Sequence, residues 1–173
     1  MDLFEAIRDR RSVRAFTKED VPDDVVEKLI DAARWAPSAG NIQPWEFVVV
    51  RNPETKRRLA AAALYQDFIA DAPVVVVVCA NERRSAMGYG RRGATLYCIQ
   101  DCAAATQNML LAAHALGLAS CWVGAFSEDE VREVIEAPDG VRPVAIVPIG
   151  HPAERPRPPP RRPLNHIIHY ERF

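Results

Sequence analysis

Apolar positions recur along this chain with two periods, and the changes of period predict its elements. Between Asp2 and Arg10, Leu3 and Ile7 share a face that Asp2 can cap, so a short helix is expected. Val21-Pro-Asp-Asp24 opens a second helix, with proline in its first turn and two acids at the positive end of the helix dipole. Val25, Val26, Leu29, Ile30 and Ala33 form its apolar stripe. A strand follows from Trp45 to Val50, then an alanine-rich helix from Pro53 to Leu64. Ala72 to Ala80 is a β-branched run without alternation, the pattern of a strand buried on both faces. Thr95 to Leu118 is the longest helical segment and is apolar on nearly every face. It is expected to be buried all round, at the centre of the fold or against a partner subunit. Ala119 to Phe126 predicts a strand running into a turn at Gly124. Ser127-Glu-Asp-Glu130 forms a capping box for a short helix to Glu136, and Pro143 to Ile149 predicts the last strand, ended by Gly150.

Three stretches break this order. In Trp35-Ala-Pro-Ser-Ala-Gly-Asn-Ile-Gln-Pro-Trp45, Pro37 pushes Ala36 out of the helical region and Gly40 permits positive φ, so the chain turns sharply. Its hydroxyl and amide groups either cap a helix or line a site for something planar and polar. Asn81 to Gly93, with four arginines and the pair Gly88 and Gly90, reads as a mobile loop, a lid. Beyond His151, Pro152, Pro156, Pro158, Pro159, Pro160 and Pro163 impose an extended tail. Leu164, Ile167, Ile168, Tyr170 and Phe173 keep that tail apolar to its end, which predicts that it docks, on another subunit.

At 173 residues, with 49% hydrophobic and 26% charged, the chain is expected to form one domain with a sizeable core. A formal net charge of −1 gives no global drive toward nucleic acid or an anionic membrane, so basic function must be local. The local excess is Arg8-Asp-Arg-Arg-Ser-Val-Arg14, four arginines and one hydroxyl in seven residues. Such forks hold phosphate bidentately; the alternative is a solvated basic turn paired with Asp9, Glu19 and Asp20. Met1-Asp-Leu-Phe-Glu5 shows no secretory pattern, and the longest apolar run, Val74 to Ala80, is too short to span a bilayer. A soluble, cytoplasmic protein is expected. Cys79, Cys98, Cys102 and Cys121 form no CxxC pair and have no histidines at zinc-finger distance, so no metal site is expected. Cys98 and Cys102 share a helical face, as buried small hydrophobes or as a redox pair.

Four pieces stand in order: Arg10-Arg-Ser-Val-Arg-Ala-Phe16, Ala36-Pro-Ser-Ala-Gly-Asn-Ile-Gln-Pro-Trp45, Gly117-Leu-Ala-Ser-Cys-Trp-Val-Gly-Ala-Phe126, and Gly150-His-Pro with Arg161-Arg-Pro-Leu164. In this order and spacing the chain resembles a short form of the nitroreductase family of FMN-dependent oxidoreductases, over essentially its whole length. The resemblance implies an α+β fold, a mixed central sheet flanked by helices, in an intertwined homodimer with FMN sites at the interface. It implies that Thr95 to Leu118 is the dimer helix and that residues 151–173 are an arm on the partner. By position, Arg10, Ser12 and Arg14 are implied phosphate and ribityl contacts, Arg11 is at the flavin edge, and Arg161 closes on the phosphate. Pro37, Ser38, Ala39 and Asn41 are implied to line the flavin of the partner; where the family often has a second serine, this chain has Ala39. Trp122, Val123 and Gly124 resemble the turn packed on the flavin ring.

The resemblance further implies electron transfer from NADH or NADPH to nitroaromatics, quinones or similar planar acceptors, with ping-pong kinetics and no catalytic side chain. No Gly-x-Gly-x-x-Gly follows a strand, so the nicotinamide is expected to bind transiently over the flavin. His114, on the long helix, is expected to be a packing residue. Two alternatives stay open. One is a specialised member of the family, a dehalogenase or an oxygen-using flavin enzyme. The other is a non-catalytic flavin-binding dimer whose Pro156-Arg-Pro-Pro-Pro-Arg161 segment recruits a partner.

Overall fold

The computed structural model describes residues 1–173. Its centre is strand β2 (Val74–Asn81), in which every residue from Val74 to Ala80 is fully buried, as the unalternating β-branched run predicts. β2 pairs antiparallel with β1 (Trp45–Val50) on one side and with β4 (Val141–Gly150) on the other. The two-residue strand β3 (Ala119–Ser120) closes the order β1-β2-β4-β3. All these pairings are antiparallel, and the parallel component is a single bridge between Ser12 and Ser120. Register slips between Val78 and Cys79, opposite Pro143, where a residue without an N–H cannot continue the ladder.

A strand buried on both faces needs a layer on each. Val74, Val76, Val78 and Ala80 face a cluster with Leu29 and Ala33 of α2 (Asp23–Arg34) and Cys102, Ala105 and Met109 of the long helix. Val75, Val77 and Cys79 face the opposite cluster, with Leu59 of α3 (Pro53–Ala62), Ile69 of α4 (Phe68–Asp71) and Val131 of the later helix 128–134. Each fully buried valine contributes on the order of 1.5–3 kcal/mol over an exposed one. The predicted caps form. Asp2 accepts from the amides of Phe4 and Glu5 at the start of α1 (Leu3–Asp9), and the Asp2 amide donates in turn to the Glu5 carboxylate. Ser127 accepts from the Glu130 amide.

The structure corrects three expectations. Residues 81–93 are not a loop: α5 (Glu82–Arg92) starts from an Asn81 cap and bends at Tyr89 and Gly90, where Gly90 has φ 53° and ψ −139°. This bend folds the segment back so that Gly93 lies against Ser85. A π-helical turn (Gly93–Tyr97) then leads into α6 (Cys98–Ala115). The expected strand from Ala119 to Phe126 is ladder only at Ala119 and Ser120, with one further bridge at Val123, because the chain must peel away for the turn at Gly124. Helix α6 is not buried all round within one chain. Asp101, Cys102, Ala105, Met109 and Ala113 face the core, while Gln100, Ala103, Ala104, Gln107 and Leu111 are half-buried or exposed. The last helix is α7 (Glu128–Val134).

All four cysteines are buried and free. Burial pushes the Cys79 thiol up to about 12 and raises that of Cys102 as well, which leaves both poor thiolates. No helix is long and apolar enough to cross a membrane. The fold-back of α5 is testable at Gly93, where an added Cβ would collide with the backbone carbonyl of Ser85. Gly93→Ala is expected to cost about 1–3 kcal/mol by overpacking, read as a lowered thermal midpoint by circular dichroism.

Candidate functional site

The basic segment Arg10–Arg14 leaves α1 and runs beside β3, tied there by the Val13 amide donating to the Ser120 carbonyl at 3.1 Å. The tail returns to the same place, because the Thr17 amide bonds His151 and the Ala153 amide bonds Ala15. The result is a cleft of about 330 Å³ lined by Arg10, Arg11, Ser12, Arg14, Arg157 and Arg161, with prolines 156 and 159 and no carboxylate. None of these arginines has an acidic ion-pair partner, whereas Arg34, Arg51, Arg57, Arg58, Arg132 and Arg142 all do. The alternative of a basic turn neutralised by Asp9, Glu19 and Asp20 is therefore not what forms: Asp20 pairs with Arg51, and Glu19 faces His151. The Arg10 guanidinium is held below its usual range by burial and then by Arg11, with Arg161 adding to the effect.

Within the cleft the arginines differ. Arg11 turns back to donate to the carbonyls of Arg8 and Arg10, closing the C-terminus of α1, and its Nε is buried without a partner. Arg14 lies exposed over the Phe68 ring at 5.8 Å, its backbone amide donating to Glu154. Arg161 donates to the carbonyls of Pro159 and Pro160. A second, larger cleft of about 430 Å³ shares Arg10, Arg11 and Pro156 and runs along Leu118 to Ser120. His114 lines it, with its Nε2 buried and without a protein partner.

The turn from Trp122 to Gly124 follows directly. Val123 is buried and exchanges both backbone bonds with Ile146, while Trp122 and Gly124 are exposed on either side of it. Gln66 reaches this turn, its Nε2 donating to the carbonyls of Ala63 and Ala125. Gln66 belongs to no motif in the sequence that would mark it. The only signal near it, two consecutive residues Leu64 and Tyr65 at positive φ, is visible only in the backbone.

Pro37, Ser38, Ala39 and Asn41 lie elsewhere. Gly40, Asn41 and Gln43 all adopt positive φ, and the Ser38 hydroxyl accepts from the Gln43 amide. The loop is held by two helices. Asp101 of α6 accepts from the Ala39 amide at 3.2 Å, and Arg84 of α5 donates to the Ile42 carbonyl at 3.0 Å. Asp101 stands near one end of α6 and His114 near the other, thirteen residues or about 20 Å along the helix axis. One chain thus brings Arg10, Arg11, Ser12, Arg14 and Arg161 to one cleft, while Gly124 lines a separate one with Ile99, Arg142 and Pro143. It leaves Pro37, Ser38, Ala39 and Asn41 at the opposite end of α6.

Burial raises the Asp101 carboxyl, partly opposed by the Ala39 amide, and its Oδ2 has no partner. A raised folded-state pKa favours the folded form below the ordinary carboxylate range and loses that contribution as pH rises through the raised value. Asp101→Asn is therefore expected to gain thermal stability relative to the parent as pH rises from about 4 to about 7. Paired melting curves at both pH values read this, and a gap independent of pH would contradict it.

The family model for the nitroreductase family matches residues 7–64 and 60–151. A protein of Methanothermobacter thermautotrophicus with the provisional name NADH dehydrogenase/NAD(P)H nitroreductase is 39% identical over 90% of this chain and 80% of its own length. An NADH dehydrogenase of Thermus thermophilus is 33% identical over 97% of this chain and 95% of its own. The solved structure of the NADPH:FMN oxidoreductase from Vibrio harveyi complexed with NAD+ superposes with a TM-score of 0.90 at 28% identity, covering 98% of this chain and 77% of that one. By the match of the family model and the identity to these relatives, this α+β chain belongs to the nitroreductase family.

Proposed function

We propose that this protein is a cytoplasmic FMN-dependent oxidoreductase that passes electrons from NADH or NADPH to nitroaromatics, quinones or similar small planar acceptors. The observation that carries this reading is the arginine cleft. Arg10, Arg11, Arg14, Arg157 and Arg161 line one cleft and none forms an ion pair, the adjacent Glu154 carboxylate accepting from the Arg14 backbone amide, and like charges so placed repel until an anion enters. A phosphate dianion fits that donor set. FMN, when bound, supplies the redox chemistry. The chain supplies binding and orientation: Arg10, Ser12, Arg14 and Arg161 hold the phosphate, and Arg11 closes α1 beneath them. The Trp122–Val123–Gly124 turn, fixed to β4 through Val123, forms one wall of the ring slot, and Gly124 lets backbone approach closely. Reductant and acceptor enter the same slot in turn, which gives ping-pong kinetics, and solvent supplies protons.

The slot's other wall requires a second copy. Pro37, Ser38, Ala39 and Asn41 sit at the far end of α6 from the arginines, and a two-fold pairing along α6 carries each loop to the opposite cleft. The half-buried Ala103, Ala104 and Leu111 face supports that pairing, since small residues permit close backbone approach. The tail supports it too: Leu164, Ile167, Ile168, Tyr170 and Phe173 are all exposed on their own chain. We read residues 1–173 as a single FMN-binding unit with 151–173 as the arm that docks on the partner.

The first test is a visible spectrum of the purified protein before and after anaerobic addition of NADH or NADPH. Yellow protein that bleaches is expected; protein that stays colourless after incubation with FMN would end the reading. Arg14→Ala or Arg161→Ala is expected to weaken FMN by about 1.5–3 kcal/mol, roughly ten- to a hundredfold in affinity, by flavin fluorescence titration. Deleting residues 152–173 is expected to release both the flavin and the dimer, checked by absorbance and sedimentation.

A further inference from the structure

Helix α5 carries Arg83, Arg84, Arg91 and Arg92, and none of them has a carboxylate within ion-pair distance. The helix packs directly on the 37–43 loop. Arg84 holds the Ile42 carbonyl, an added Cβ on Gly88 would strike Ile42, and the Tyr89 hydroxyl covers Gly40, 2.7 Å from where its Cβ would stand. Beside this contact the Tyr89 and Tyr97 rings meet edge to face at 5.2 Å. Arg92 spans the second ring, its Nε donating to the Tyr97 hydroxyl and its guanidinium 5.3 Å from the ring centre. Aromatic edges backed by unneutralised arginines are suited to a planar molecule that carries an anionic group.

We infer that the α5 arginines form an anion-selecting rim at the mouth of the slot. They favour planar substrates that carry an additional phosphate or carboxylate over otherwise similar analogues that lack it. This rests on the flavin reading, because the rim meets the slot through the 37–43 loop. The rim is distinct from the Arg10–Arg161 cleft, which lies at the other end of α6 in the same chain. Arg84 acts by positioning Ile42. Arg91 and Arg92, exposed on the returning limb, supply the charge. Exposed charges act over roughly a Debye length, about 10 Å in 0.1 M salt, so the preference must fade as salt rises.

Calorimetric titration of the full-length protein, incubated with FMN, tests this with two matched pairs: 4-nitrobenzoate against 4-nitrobenzamide, and NADP+ against NAD+. The more anionic member of at least one pair is expected to bind about tenfold more tightly at low salt. A preference within the first pair assigns the rim to an acceptor carboxylate, and within the second to the reductant's extra phosphate. The ratio is expected to approach one in the double variant Arg91→Glu/Arg92→Glu and, in the unaltered protein, at high salt. No preference in either pair, or a preference that survives both charge reversal and salt, would overturn the rim. Flavin content is read separately by absorbance, so a failure of the flavin reading is distinguishable from a missing charge preference.

Discussion

The structure depends on the burial of β2 from both sides. A strand with no exposed face must be covered by two layers, and here alternate residues are divided between them: Val74, Val76, Val78 and Ala80 to α2 and α6, Val75, Val77 and Cys79 to α3, α4 and α7. Helix α6 lies across the first face, and its two ends emerge about 20 Å apart. The polar loop after α2 is held at one end by Asp101, and the basic segment after α1 reaches the other beside Ser120. The distribution of chemistry over the surface is thus a consequence of how the core is closed.

Charge is arranged against this frame with little waste. Arginines on α2, α3 and α7 are matched to acids one turn away or across a neighbouring element, and such exposed pairs contribute only tenths of a kcal/mol each, roughly up to 1. The arginines near Ser12 and those of α5 are left unmatched. In a chain whose formal charge is −1, that is a partition of charge rather than an excess of it. The buried carboxylate of Asp101 is the converse case, an acid withdrawn from water to hold one backbone amide.

Much of this was legible in the sequence, because the physics that decides it is local. The run Val74 to Ala80 announces a two-sided strand, Asp2 and Ser127 announce helix starts, and Pro37 with Gly40 announces a turn. The ordered motifs named the family, and five of the twelve residues they flagged, Arg10, Arg11, Ser12, Arg14 and Arg161, line one cleft. What the sequence concealed depends on contacts across the fold. Gly88 and Gly90 lower helix propensity enough to make 81–93 read as a loop, yet the packing of Gly93 on Ser85 and of Gly88 on Ile42 holds a helix there. Ala119 to Phe126 has strand propensity throughout, but only the first two residues find a partner ladder. Gln66 carries no local signature, since its role is set by a carbonyl fifty-nine positions away. Helix α6 looked apolar on every side because alanine does not reveal which side its own chain covers.

The bend at Tyr89 and Gly90 has a consequence for how such a chain can change. It is an exposed tip between two limbs that are each secured at their bases, by the Asn81 cap on one side and by α6 on the other. Lengthening a flexible connection costs only about 0.6 kcal/mol for each doubling. Residues can therefore be inserted at this point without disturbing the register of β2 or the seat of α6. The tip offers a place where the reach and polarity of the proposed slot's mouth can be rewritten while the core beneath stays as it is.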